Sequence, residues 1–105
     1  HFEEFKDPMD ATRGADIVTT DVWTSMGSES EIEKRKSIFK GYQINQHLFD
    51  KAKKDALFMH CLPAHRGEEV ESEVIDGANS VVWEQAHNRL HSSKALIEFL
   101  LNENK

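Results

Sequence analysis

The stretch LFMHCLPAHRGEEV, Leu57 to Val70, holds the only cysteine of a 105-residue chain and two of its six histidines. A thiol or an imidazole can serve as nucleophile, proton carrier or soft metal ligand, and its neighbours decide which. Pro63 breaks the apolar run two residues after Cys61, so the thiol belongs at the end of a strand rather than inside one. Two other stretches place polar groups after apolar runs in the same way. One carries Asp21, Ser25, Met26 and Gly27; the other carries Glu84, Gln85, His87, Asn88 and Arg89. With His60, Cys61, Leu62, His65 and Arg66 they supply a carboxylate, a thiol, two guanidiniums and several hydroxyl and amide groups. That set suits a zwitterionic or phosphorylated small molecule, because a carboxylate pairs an ammonium and arginine grips phosphate as a fork.

These groups need elements to hold them. ADIVTTDVW, Ala15 to Trp23, is rich in β-branched residues and reads as a buried strand; ALFMHCL and SVVWEQ read as two more. Helical patterns lie between them. Ser28 with Glu31 forms a capping box ahead of Ile32, Arg35 and Phe39, which share one face of a helix stopping near Gly41. Asn45 caps a second helix with Leu48, Phe49 and Ala52 as its apolar stripe. Val70, Val74 and Ile75 mark a short third helix, with Gly77 at its C-terminal cap. The last stretch, HNRLHSSKALIEFLLNENK, is a long amphipathic helix whose broad apolar side must pack on something large. Strands alternating with helices predict an α/β fold, a Rossmann-like parallel sheet with helices on both faces. Three strands and four helices are few for a sheet covered on both sides, so the sheet is expected to be incomplete, with further strands upstream. In such sheets ligands bind beyond the carboxyl ends of the strands, where the three polar loops should converge.

Composition narrows the function classes. Thirteen basic against nineteen acidic side chains give a net charge of −6, and no basic stripe interleaves with aromatics, so nucleic acid is not an expected partner. No apolar run approaches the ~20 residues of a membrane span. The acidic N-terminal stretch lacks the pattern of a secretory signal, and one cysteine permits no internal disulfide, which points to a cytoplasmic protein.

DVWTSMG, MHCLPAHRGEEV and HNRLHSSKALIEFLL together resemble the signature stretches of the C-terminal, ornithine-binding domain of the ornithine carbamoyltransferase family, in the family's order. The resemblance runs from Asp16 onward. It implies transfer of the carbamoyl group from carbamoyl phosphate to the side-chain amine of ornithine, giving citrulline and phosphate in arginine metabolism, with no metal and no organic cofactor. It also implies that residues 1–105 are the C-terminal part of the ornithine-binding domain. The carbamoyl-phosphate-binding domain, with its Ser-Thr-Arg-Thr and His-Pro loops, has no counterpart here, so the chain by itself is expected to be inactive. The parent is expected to be a homotrimer or higher oligomer.

By the same resemblance, Asp21 pairs with the α-ammonium of ornithine as a buried carboxylate, and Ser25 and Met26 sit on the loop that closes over the substrate. Cys61 lies beside the reacting amine. The backbone carbonyls of Cys61 and Leu62 accept from the carbamoyl NH2, and Arg89 reaches carbamoyl phosphate. The catalytic set is then Cys61, Asp21 and Arg89.

Blander readings compete for several residues. His60 should point away from Cys61 by strand alternation, which makes it a core or supporting histidine rather than a general base. Arg66 reads equally well as a solvated loop charge, and Trp23 and Trp83 as packing residues. A metal-binding module built on His60, Cys61, His65, His87 and His91 is a second hypothesis, since His87 and His91 have the i, i+4 spacing of two ligands on one helix face. The donors are not spaced as a closed tetrahedral set, which weighs against it. A non-catalytic amino-acid-binding relative of the same fold is a third.

Overall fold

The structure, a computed structural model, describes residues 1–24, 29–103 and 105. Elements follow in the order α1 (Pro8–Thr12), β1 (Ile17–Thr20), α2 (Glu29–Phe39), a 3₁₀ turn (Lys40–Tyr42), α3 (Gln46–Phe49), β2 (Leu57–His60), α4 (Ser72–Ile75) and α5 (Val82–Glu103). The strands β1 and β2 pair in parallel, Ile17 with Leu57 through Thr20 with His60. Parallel neighbours need a crossover, and α2, the 3₁₀ turn and α3 supply it.

Period-two alternation sorts the sheet residues. Val18, Phe58 and His60 turn into the core, whereas Ile17 and Leu57 remain 53% and 40% exposed. Ile44, Leu48, Val70, Val74, Ile75 and Val82 complete the buried cluster. The ring of Phe49 packs edge-on against Phe58, centroids 6.3 Å apart.

Local signals place several boundaries. Asn45 caps α3 as expected, its Oδ1 accepting from the Leu48 backbone N–H at 2.9 Å, although α3 ends at Phe49 and is shorter than the stripe to Ala52 suggests. The Gly77 N–H donates to the Val74 carbonyl behind α4. A Cβ at Gly77 would stand 2.8 Å from the Glu73 carbonyl oxygen, so the chain passes too close there for a side chain. At the other end of the chain, Pro8 opens α1 while Asp7 caps it through Met9, a start signal that the polar opening residues concealed. The capping box at Ser28 lies outside the described residues.

The third strand is a correction. SVVWEQ forms one bridge, Phe58 with Ser80, flanked by bonds from the Phe58 N–H to the Asn79 carbonyl and from the Val81 N–H to the Phe58 carbonyl. Among the described residues the sheet has two strands. The Gln85 N–H then donates to the Val81 carbonyl at 2.9 Å, the first turn of α5. A short apolar run cannot be assigned to strand or buried helix by periodicity, and tertiary packing chose helix here. The choice moves Trp83 as well. Val82 takes the inward position and is fully buried, while Trp83, expected as a packing residue, is rotated outward and is 62% exposed.

Along the rest of α5, Leu90, Leu96, Ile97, Phe99, Leu100 and Leu101 are all exposed. No described helix is long and apolar enough to cross a membrane.

Candidate functional site

Because β1 and β2 run side by side in register, their next residues emerge at one edge of the sheet. Those residues are Asp21 and Cys61. The Cys61 thiol donates to Asp21 Oδ1 at 3.1 Å, and the Val22 N–H donates to the same oxygen at 2.7 Å. Both side chains are exposed, so Asp21 is not the buried carboxylate that was expected. The thiol hydrogen bond, helped by the Val22 N–H, holds the Asp21 carboxyl below the usual carboxylate range. The same bond, with burial and the carboxylate charge behind it, pushes the Cys61 thiol up against a smaller opposing pull from Arg89. At neutral pH the pair is therefore carboxylate and thiol. A nucleophilic cysteine needs the opposite shift, so Cys61 is built here as a hydrogen-bond donor.

One residue earlier, His60 points the other way and is fully buried. Its Nδ1 accepts from the Leu62 backbone N–H at 2.8 Å; an N–H can only donate, so the ring proton sits on Nε2 and is given to Glu69 Oε1 at 2.8 Å. Glu69 Oε1 also accepts from the His65 N–H at 2.7 Å. The His60 N–H donates to Gln85 Oε1 at 3.0 Å, which ties β2 to α5. These bonds clamp both ends of the turn after Cys61, where Leu62 takes a left-handed φ of 57°, a conformation that leucine adopts only under constraint. His60 thus fills the supporting place that strand alternation predicts. Glu69, its partner nine residues on, was not legible: nothing in GEEV distinguishes the buried glutamate from its neighbour.

Arg89 comes from α5 rather than from a loop after a third strand. With Met59, Cys61, Gln85, Ala86, Asn88 and Ser92 it lines an open cleft of about 600 Å3. The fold thus brings Asp21, Cys61 and Arg89 to one place, while Ser25 and Met26 lie outside the described residues. Leu62 packs partly buried against the core. Arg66 is spent elsewhere, forked onto Asp76 through both guanidinium NH groups, one at 2.9 Å. Trp23 is half-buried and stacks on Phe39, centroids 6.1 Å apart.

The five donors of the metal-module reading are dispersed: His60 bonds Glu69, Cys61 bonds Asp21, and His87 faces His91. A different trio, His65, Glu68 and Glu69, has donor atoms within 4.8 Å of one another. Two of its members are engaged already, Glu68 with Lys36 at 2.9 Å and Glu69 with His60.

Residues 1–100 match the family described as aspartate/ornithine carbamoyltransferase, Asp/Orn binding domain. The chain is 65% identical to an ornithine carbamoyltransferase of Methylobacillus flagellatus over 96% of its own length and 33% of that protein's. Among solved structures, the ornithine carbamoyltransferase from Pyrococcus furiosus superposes with a TM-score of 0.81 at 58% identity, over 87% of this chain and 29% of that one. The anabolic ornithine carbamoyltransferase from Campylobacter jejuni gives 0.83 at 44% identity, over 92% and 32%. The chain spans about a third of the length of the curated relatives it matches.

Proposed function

The chain belongs to the aspartate/ornithine carbamoyltransferase family, and from that premise we propose that it is the C-terminal part of the ornithine-binding domain of an ornithine carbamoyltransferase. The carbamoyl-phosphate-binding domain lies outside residues 1–105, and the chain alone is inactive. The observation that carries this reading is the 3.1 Å contact between Asp21 and Cys61 at the strand ends, on the rim of the cleft that Arg89 lines.

The reaction needs an amine, a carbamoyl donor and little else. The side-chain ammonium of ornithine first loses a proton. Its nitrogen lone pair then attacks the carbonyl carbon of carbamoyl phosphate, the C–O bond to phosphate breaks, and phosphate leaves with the bonding electrons and takes up the second proton that the attacking nitrogen sheds. Nothing is oxidised or reduced and the donor is already activated, so neither metal nor organic cofactor is required. Asp21, ionised, pairs with the α-ammonium of the substrate. Cys61, a thiol at neutral pH, stands beside the reacting amine and orients it without forming a covalent intermediate. The backbone carbonyls of Cys61 and Leu62 accept from the carbamoyl NH2, held at their angle by the His60 and Glu69 clamp. Ser25 and Met26 engage ornithine from their loop, and Arg89 meets the departing phosphate charge. Positioning two substrates in this way is worth up to about 7 to 11 kcal/mol of barrier.

The exposed apolar side of α5 is the surface expected to pack on the carbamoyl-phosphate-binding domain. The parent works in arginine metabolism, in the cytoplasm, as a homotrimer or higher oligomer. Citrulline formation from ornithine and carbamoyl phosphate, compared between this chain and the same chain joined to its upstream sequence, tests the reading. Activity only in the joined chain supports it. A folded joined chain that binds ornithine without forming citrulline would replace it with the non-catalytic amino-acid-binding relative.

A further inference from the structure

On α5, His87 and His91 stand one turn apart with both rings exposed. Their Nε2 atoms face each other at 3.0 Å, and the ring centroids are 4.7 Å apart. At 3.6 residues per turn, this pair lies roughly opposite the helix face formed by Gln85, Asn88, Arg89 and Ser92, which lines the cleft. It is outside the proposed reaction's machinery.

Two imidazole nitrogens bound about 2.0 to 2.1 Å from a tetrahedral zinc ion lie roughly 3.3 to 3.4 Å apart. The observed separation is within a few tenths of an ångström of that value, and a small rotation of two solvated rings closes the gap. We propose that His87 and His91 form a chelate site for a borderline divalent transition-metal cation such as Zn2+, on the face of α5 turned away from the cleft. In the metal-free pair one Nε2–H donates to the other Nε2. For both lone pairs to reach the ion, that proton moves to the Nδ1 of its own ring, so each imidazole stays neutral and binds through Nε2. Water fills the remaining positions. Imidazole suits zinc, nickel and copper better than magnesium or calcium, which sets the selectivity. The ion would staple residues 87–91 of α5 and raise the melting temperature, because it binds the folded pair and not the coil.

The competing soft ligand is Cys61, so the test must separate the two. The full chain and its His87→Ala, His91→Ala and Cys61→Ser variants are titrated with Zn2+ by calorimetry. Far-UV dichroism confirms that each keeps its helices; alanine favours an exposed helix, so the histidine variants retain α5. The expected result is saturable one-site binding in the parent chain and in Cys61→Ser, with an upward melting shift and movement of the His87 and His91 ring 15N resonances. Binding is lost in each histidine variant. Absence of binding by the folded parent chain, survival in either histidine variant, or loss in Cys61→Ser overturns the proposal.

Discussion

Consecutive residues of one strand end, His60 and Cys61, sit in opposite worlds. Cys61 meets Asp21 in solvent at the cleft, whereas His60 meets Glu69 with neither side chain exposed. The exposed pair can be re-partnered at little cost, because water screens it and replaces lost bonds. The buried pair has no such alternative, since an orphaned polar group there keeps its desolvation penalty. The difference separates chemistry from support. The rim pair is available to a substrate, and the buried pair holds the turn that presents it.

Glu69→Ala should have the largest effect on the fold. It leaves the His60 Nε2–H and the His65 N–H unpaired, at about 1 to 3 kcal/mol for each buried donor left unsatisfied. Urea unfolding would show it, and a loss below about 1 kcal/mol would mean that water enters the site. Asp21→Ala should do the reverse. Ornithine turnover by the parent enzyme should fall by about 100-fold, the loss of a hydrogen-bonded charge partner, while the unfolding midpoint moves within the usual ±0.5 kcal/mol of a surface change. A comparable loss of stability would erase the distinction between the pairs. Asn45→Ala, which removes a helix cap on the core side, should cost about 1 kcal/mol and leave turnover unchanged; a turnover defect would show that α3 reaches the site.

The smallest effect sharpens the rim pair itself. Asp21→Asn weakens the hydrogen bond that raises the Cys61 thiol and removes the charge behind it, so its alkylation by iodoacetamide near neutral pH should quicken severalfold as the thiolate fraction rises. The signs follow from the two shifts. The Asp21 carboxylate, depressed in the folded chain, contributes stability above its unfolded value that is lost as pH falls through the folded one. The Cys61 thiol, raised from an ordinary 9.0, contributes below that value and loses it as pH rises through the folded one. Equal alkylation rates in both proteins would show that the 3.1 Å contact does not control the thiol.

Both strands, the Asn45 cap and the Gly77 stop were legible because each rests on a few adjacent residues. So was the meeting of Asp21, Cys61 and Arg89, which lie on stretches expected to converge at the strand ends. Ser25 and Met26, expected on the loop that closes over ornithine, fall outside the described residues. Other features left no local trace. SVVW reads as strand by composition, yet the sheet accepts only Ser80 before Val82 claims a core position from the helix. Glu69 looks like any solvated glutamate until the chain folds it under His60.

By itself the sequence determined that successive residues of β2 point to opposite faces, because side-chain alternation is a property of extended backbone and needs no partner. That His60 and Cys61 face opposite ways follows from that alone. Only the tertiary structure decided what each would meet. Asp21 lies forty residues before Cys61, and a parallel register linking Thr20 to His60 brings them to 3.1 Å. Glu69 reaches His60 because the turn after Cys61 folds back beneath the strand. Contacts between distant residues depend on register and packing, which no short window of sequence contains.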